Sequence, residues 1–214
     1  NYVLGNHDEP RIASRIGPGM ARLAMLLLLT LRGTPTMYYG DELGMQDVKI
    51  PADKVQDPWE RLTPGMGLGR DPERTPMQWD ASPNAGFTGP EVTPWLPVSD
   101  IYEQENVAAE LAEPGSMLNF TRRLIELRQN SPALLSGSYR AVNGVPVGCF
   151  VFLRESSNER FLILLNFSDE TATIQLPDLG EGLVVLSTEE EGLAEKVIAL
   201  DEVRLGPAGG LLVK

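Results

Sequence analysis

The short apolar run Tyr2-Val3-Leu4-Gly5 ends on Asn6-His7-Asp8, and soon afterwards the chain enters the unbroken apolar stretch Leu23-Ala24-Met25-Leu26-Leu27-Leu28-Leu29 within Met20 to Leu31. A strand that delivers an imidazole and a carboxylate at its C-terminal end, and then gives way to a buried helix, follows the pattern of a parallel α/β barrel. There the reactive side chains sit at the C-terminal ends of strands and on the loops entering the helices. The apolar stretch is too short to cross a bilayer, which takes roughly 20 residues, and Arg22 and Arg32 bracket it. It is expected to form a helix buried nearly all round. Taken alone, Asn-His-Asp is also an ordinary loop, because Asn and Asp make local side-chain turns.

Two further segments add to the first. Gly33-Thr34-Pro35-Thr36-Met37-Tyr38-Tyr39-Gly40-Asp41-Glu42-Leu43-Gly44-Met45 contains the next expected strand, at Thr36 to Tyr39, with Pro35 at its start where a missing N–H does no harm. Gly69-Arg70-Asp71-Pro72-Glu73-Arg74-Thr75-Pro76-Met77-Gln78-Trp79-Asp80 follows, with Pro83-Asn84-Ala85-Gly86-Phe87 behind it. Together with Asn6-His7-Asp8-Glu9-Pro10-Arg11, these segments resemble, in order, the seventh-strand motif, the eighth strand and the long post-strand excursion of the α-amylase superfamily (glycoside hydrolase family 13). The resemblance is strongest to its α-glucosidase and oligo-1,6-glucosidase branch and covers about residues 1 to 135.

The resemblance implies a fold and a set of roles. The fold is an α/β remnant, the last two β/α units of a TIM-type barrel, at 1–134 with a loop excursion at about 46–104, followed by an all-β antiparallel sandwich at 135–214. Asp8 is then the third catalytic carboxylate, which stabilises the transition state through ring hydroxyls, and His7 its neighbour on the same sugar. Arg11 and Arg70 are substrate-binding candidates, each with an ion-pair role as the alternative. Trp79 is expected to pack rather than to carry sugar. The resemblance also implies a C-terminal piece of a longer enzyme: the family's nucleophile and acid/base follow the fourth and fifth strands and have no counterpart here. The adjacent pairs Asp8-Glu9 and Asp41-Glu42 do not replace them, because neighbouring residues point different ways and cannot flank one glycosidic bond.

Composition narrows the rest. A formal net charge of -12 excludes the basic surfaces that favour nucleic acid or anionic membranes. Cys149, the only cysteine, precludes an intrachain disulfide and reads as a core residue; no His/Cys cluster suggests a metal, and no cofactor is expected. A cytoplasmic setting is favoured, although these features do not fix the compartment.

Beyond the barrel segments, Met117, Phe120, Leu124 and Leu127 mark one face of a helix that opens after Ser116 and closes at Asn130-Ser131-Pro132, with Arg122, Arg123 and Arg128 turned outward. Apolar runs at Val147–Leu153, Phe161–Leu165, Thr171–Ile174, Leu183–Leu186 and Leu211–Val213 then alternate with turn residues, Ser156-Ser157-Asn158-Glu159 among them as a hairpin. Glu189-Glu190-Glu191 reads as a solvated loop rather than a calcium site, because successive carboxylates cannot converge on one ion.

The expected activity is that of a retaining glycoside hydrolase acting on α-glucosidic bonds of short glucosides, with an oligosaccharide or small glucoside as partner and the piece alone inactive. Trehalose synthase or another transglycosidase, and a non-catalytic scaffold resembling amino-acid transporter heavy subunits, remain open. Self-association through the exposed barrel edge is expected, because strands built to be covered leave unpaired edges.

Overall fold

The computed structural model describes residues 1–189 and 193–214, so Glu190 and Glu191 of the acidic tract lie outside the described residues. Among the described residues no helix is long and apolar enough to cross a membrane. The chain divides into two compact units that interleave along the sequence: residues 1–2, 22–35 and 123–214 form one, and residues 3–21 and 36–122 the other.

The first barrel-like segment yields strand β1 (Tyr2–Val3), helices α1 (Ile12–Ile16) and α2 (Pro18–Thr30), and strand β2 (Pro35–Thr36). β1 and β2 are hydrogen-bonded neighbours in a two-stranded sheet. Both are two residues long, shorter than the expected Tyr2–Gly5 and Thr36–Tyr39. At the first strand's end, Asn6 and Glu9 form an isolated bridge that turns the chain back on itself. α2 is buried nearly all round, with Leu23, Met25 and Leu26 at 0% exposure.

The first unit is dominated by β structure. Its strands are β3 (Ser138–Ala141), β4 (Cys149–Glu155), β5 (Arg160–Asn166), β6 (Ala172–Ile174), β7 (Glu181–Ser187), β8 (Val197–Ala199), β9 (Val203–Leu205) and β10 (Gly210–Val213). A six-stranded antiparallel sheet runs β3-β4-β5-β10-β7-β8, and β6 pairs with β9 separately. Val151, Leu153, Leu162, Leu164, Leu211 and Val213 of the large sheet share one apolar cluster with Ile174, Val203 and Leu205 of the small one. The alternate residues Phe152, Ile163 and Leu212 are buried too, so the large sheet is covered on both faces. Ser156 N–H donates to the Glu159 carbonyl at 2.8 Å and closes the expected β4–β5 hairpin.

Helix α5 (Met117–Asn130) occupies the expected span, and Ser131 then caps α6 (Pro132–Leu135) by accepting from Leu134 N–H. One expectation fails here. Arg128 does not turn outward: it is 7% exposed and donates to the carbonyl of Leu29 in the last turn of α2 and to those of Leu31 and Gly33 just beyond it. Arg154, fully buried, does the same for Thr30, Leu134, Gly137 and Ser138.

The second unit has little regular structure besides α1, α3 (Pro58–Leu62), α4 (Val107–Ala112) and the start of α5. Leu43, Met45, Met77 and Leu118 form its small apolar cluster. Side chains hold much of the rest: Asn84 donates to the carbonyls of Gly89 and Val92, and Asn106 caps α4 by accepting from Ala109 N–H. Trp79 corrects the packing expectation, because it is 49% exposed; the bonds of its backbone to Ala85 and Ala108 fix the chain and leave the ring outside.

Candidate active site around Asp8

Asp8 sits on the loop after β1. Its backbone N–H donates to Asn6 Oδ1 at 2.7 Å, a local turn that only a short side-chain acceptor two residues back can make. The carboxylate is half exposed and pinned from one side by two guanidinium groups. Arg70 Nη1 approaches Oδ1 at 3.0 Å and Arg74 Nη2 approaches the same oxygen at 2.9 Å. His7 Nε2 lies 3.4 Å from Oδ2, and its ring is largely in solvent. Arg74 Nε also donates to the His7 carbonyl at 2.6 Å, so one side chain holds both members of the pair. Desolvation works against the Asp8 anion, but the Arg70 hydrogen bond and the charges of His7, Arg70 and Arg74 prevail and hold the carboxyl below its usual range. A carboxylate kept ionised accepts hydrogen bonds and stabilises positive charge. It cannot act as a proton donor at neutral pH.

Arg70 is itself fixed. Its Nε donates to Asp57 Oδ2 at 2.7 Å, its Nη2 to Asp57 Oδ1 at 3.3 Å, and its face lies over Trp59, 5.3 Å from the ring centroid. The Asp57 side chain is fully buried, and the Arg70 hydrogen bond takes its carboxyl far below the ordinary value. Arg70 thus contacts Asp8 while paired with Asp57, which joins the two roles considered for it from sequence.

Arg11 lies elsewhere in the same unit. It is fully buried: its N–H donates to Asp47 Oδ1 at 2.9 Å, its Nη1 to the Tyr39 carbonyl at 2.6 Å, and its guanidinium stands over the rings of Tyr38 and Tyr39. Gly40, at φ +87°, makes room for it, since a Cβ there would come within 2.6 Å of Arg11 Nη1. Arg11 therefore braces the Tyr38-Tyr39-Gly40 turn, with no face of its own in solvent.

Two acids nearby carry perturbed protonation that sequence reasoning did not anticipate. Burial pushes Asp41 up to about 6, opposed by the N–H of Tyr38. Burial pushes Glu73 up to about 7, with Asp47 adding to the rise and Arg74 and Arg11 opposing it. Asp57 and Arg74 were missed as well. Asp57-Pro58 has the form of a helix start, an N-cap acid before a proline, and that signal was available. Arg74 lies within the Arg-Thr-Pro-Met-Gln-Trp segment, but nothing local tells which arginine reaches Asp8.

Among the described residues no group of three or more His, Cys, Asp or Glu side chains is arranged to hold a metal ion. Cys149 is half-buried; burial raises its thiol and its Sγ faces Asn166 Oδ1 at 3.8 Å, an arrangement that disfavours the nucleophilic thiolate.

Residues 1–137 match the model of the α-amylase catalytic domain. The chain is 33% identical over 235 residues to an oligo-1,6-glucosidase of Parageobacillus thermoglucosidasius, covering 97% of this chain and 41% of that protein. It is 37% identical to a probable α-glucosidase of Rhizobium meliloti (strain 1021), with 82% of this chain and 32% of the relative covered. Among solved structures, the trehalulose synthase from Pseudomonas mesoacidophila MX-45 superposes with a TM-score of 0.82 at 31% identity, over 100% of this chain and 42% of that one. The chain thus spans well under half the length of these relatives. From the order of its motifs and the match over residues 1–137, the chain belongs to the α-amylase catalytic-domain family.

Proposed function

We propose that this chain is part of a retaining glycoside hydrolase acting on α-glucosidic bonds of short glucosides, and that Asp8 is its transition-state carboxylate. The observation that carries this reading is the Asp8 carboxylate held ionised by Arg70 and Arg74 beside His7 on the loop after β1. As the anomeric centre becomes oxocarbenium-like, hydrogen bonds from neighbouring sugar hydroxyls to such a fixed anion strengthen. His7 and Arg70 contact the same sugar in this reading, and Arg11 supports the turn behind them.

The relatives named oligo-1,6-glucosidase and α-glucosidase support the hydrolytic reading. The similarity to a trehalulose synthase supports a second one, in which the sugar is transferred rather than released to water. In either case residues 1–134 supply the end of a (β/α)8 barrel and residues 135–214 a β-sandwich, with the boundary where α6 gives way to β3. In this reading the 214-residue chain alone is inactive, because the family resemblance assigns the nucleophile and the proton donor to no residue of it. It self-associates through the half-exposed edge at Tyr2 and Val3.

The test is an assay of the full protein carrying this chain on a chromogenic α-glucoside and on short α-linked glucose oligomers, beside the isolated chain. Saturable turnover by the full protein, with products retaining the anomeric configuration and none formed by the isolated chain, is expected. Inverted products, or turnover by the isolated chain, would contradict the reading. Sedimentation of the isolated chain as a strict monomer at high concentration would remove the self-association.

A further inference from the structure

The excursion that carries Arg70 contains a group whose chemistry the proposed function does not use. The Asp57 side chain has 0% exposure, yet it is a charged carboxylate in a loop-rich region, and most of its contacts go to one neighbour, Arg70. It receives Arg70 Nε at 2.7 Å and Arg70 Nη2 at 3.3 Å, and it also accepts from the backbone N–H of Arg70 at 2.9 Å. With the Trp59 ring against its face, Arg70 loses the freedom of a long, flexible side chain and has Nη1 left to present to Asp8. Asp57 is held in turn. Its N–H donates to Asp71 Oδ2 at 2.9 Å, an oxygen that also receives Gln56 N–H at 2.6 Å, and Asp71 is only 2% exposed. The contacts run from a buried carboxylate, Asp71, through a buried carboxylate, Asp57, and a guanidinium to the half-exposed carboxylate of Asp8.

We propose that Asp57 is a positioning residue for Asp8, acting through Arg70: it fixes the guanidinium so that one nitrogen meets the Asp8 carboxylate in a single geometry. The inference rests on the reading of Asp8 as the transition-state carboxylate. A plain structural role competes with it, because Asp57 is also the N-cap of α3 and accepts from Trp59 N–H at 3.0 Å. Chemistry separates the two. Asparagine caps a helix about as well as aspartate, but it offers one acceptor oxygen where the guanidinium fork needs two, and it carries no charge. Arg74 reaches Asp8 without touching Asp57, so loss of the clamp leaves Asp8 partly held and the effect should be partial.

The experiment uses the full protein carrying this chain and the variants Asp57→Asn, Arg70→Lys, the two combined, and Asp8→Asn. Asp57→Asn should lower kcat roughly tenfold with KM little changed, the scale on which misplacing a support reaches the chemistry, while the unfolding midpoint stays near wild type. The double variant should be no slower than Arg70→Lys alone, because the two residues act as one unit. Multiplied losses in the double variant, or a change in KM alone, overturn the proposal.

A second readout follows the titration of the Asp8 carboxyl by NMR. If Asp57 holds Arg70 in place, Asp57→Asn releases the guanidinium and Asp8 titrates at higher pH than in the wild type. If Asp57 is only a nearby negative charge, its removal leaves Arg70 seated and Asp8 titrates lower, which also overturns the proposal. Should Asp57→Asn not fold, Arg70→Lys keeps the cap and the carboxylate but loses the fork, and it should raise the Asp8 midpoint in the same way; an unmoved midpoint counts against the clamp. Asp8→Asn with unchanged kcat removes the parent reading itself. A crippled Asp8→Asn beside an unaffected Asp57→Asn removes only the positioning role.

Discussion

The two units of this chain differ in which buried charges satisfy the backbone: arginines in one, and carboxylates as well in the other. In the unit built on the six-stranded sheet, ladders satisfy most of the backbone, and what they leave over is a set of carbonyls at helix ends and turns. Cations answer them: Arg128 takes those of Leu29, Leu31 and Gly33, and Arg154 those of Thr30, Leu134, Gly137 and Ser138. In the loop-rich unit side chains satisfy carbonyls too, as Asn84, Arg11 and Arg74 do, but buried carboxylates also answer a set of N–H donors. Asp71 takes Gln56 and Asp57, Asp57 takes Trp59 and Arg70, Asp47 takes Arg11, and Asp41 takes Tyr38. Arginine keeps its proton throughout the working pH range, whereas carboxylates titrate, so it is chiefly the second unit whose stability follows pH. It is also the unit that carries Asp8, where a dense network of fixed acids and arginines holds that carboxylate in place.

The sharpest way to break this comparison is Arg154→Met. It keeps the apolar stem and leaves four carbonyls without their donor, each unsatisfied acceptor costing about 1–3 kcal/mol less whatever relaxation recovers. A loss of roughly 3 kcal/mol is expected, which lowers the unfolding midpoint by about 10 °C in a chain of this size. A change within about 1 kcal/mol in thermal unfolding would show that the guanidinium's own burial cost offsets what it gives.

Next comes Asp8→Asn in the full protein, expected to lower kcat by roughly 10²-fold or more, the scale of losing one preorganised electrostatic contact, with KM little changed. Steady-state kinetics on a short α-glucoside reads it, and an unchanged kcat would detach the loop-rich unit from catalysis.

Glu73→Gln tests the pH coupling. Glu73 titrates at about 7 in the folded chain against an ordinary 4.5, so between those values the folded state binds more protons than the unfolded one. Its contribution is present below about 4.5 and is lost as pH rises through about 7. The neutral variant should therefore be more stable than wild type at pH 8, by up to about 3 kcal/mol, since a tenfold difference in proton affinity between the two states corresponds to roughly 1.4 kcal/mol. The difference should shrink toward pH 5. Asp41, raised to about 6, acts with the same sign in both proteins, and the lowered Asp8 and Asp57 act only in more acid solution. Amide exchange measured across residues 36–122 at several pH values would report it, and parallel profiles for the two proteins would refute the coupling.

The smallest effect marks the floor of the scale. Glu202→Gln removes the ion pair with Arg204 on the outer face of β9, where the two side chains are 48% and 73% exposed, and should change stability by less than about 0.5 kcal/mol in denaturant unfolding.

Some of this was legible in the residues. The apolar run that became α2, the three- and four-residue spacing of α5, and the strands β4, β5, β7 and β10 all report a face that each element buries, and the period of a face is a local property. The loop carrying His7 and Asp8 could be read from its own residues, because the Asn6-His7-Asp8-Glu9-Pro10-Arg11 motif is contiguous in the chain. Strands β3, β8 and β9 were not, being three or four residues long with mostly exposed or alternating side chains that no short pattern separates from loop.

The partner of a charged side chain was legible nowhere. Arg128 occupies what a helical wheel assigns to solvent, yet it reaches carbonyls as many as 99 positions away, and Asp57 holds an arginine 13 positions on that in turn meets Asp8 across 62. The sequence by itself determined the long helices α2 and α5 and the strands β4, β5, β7 and β10, which family the chain resembles, and that a carboxylate would stand on the loop after β1. Only the tertiary structure decided which cations hold that carboxylate, and that Arg11 braces a turn instead. Hydrophobic periodicity is written along the chain, whereas a buried charge is satisfied by whichever polar groups distant segments bring within hydrogen-bonding distance.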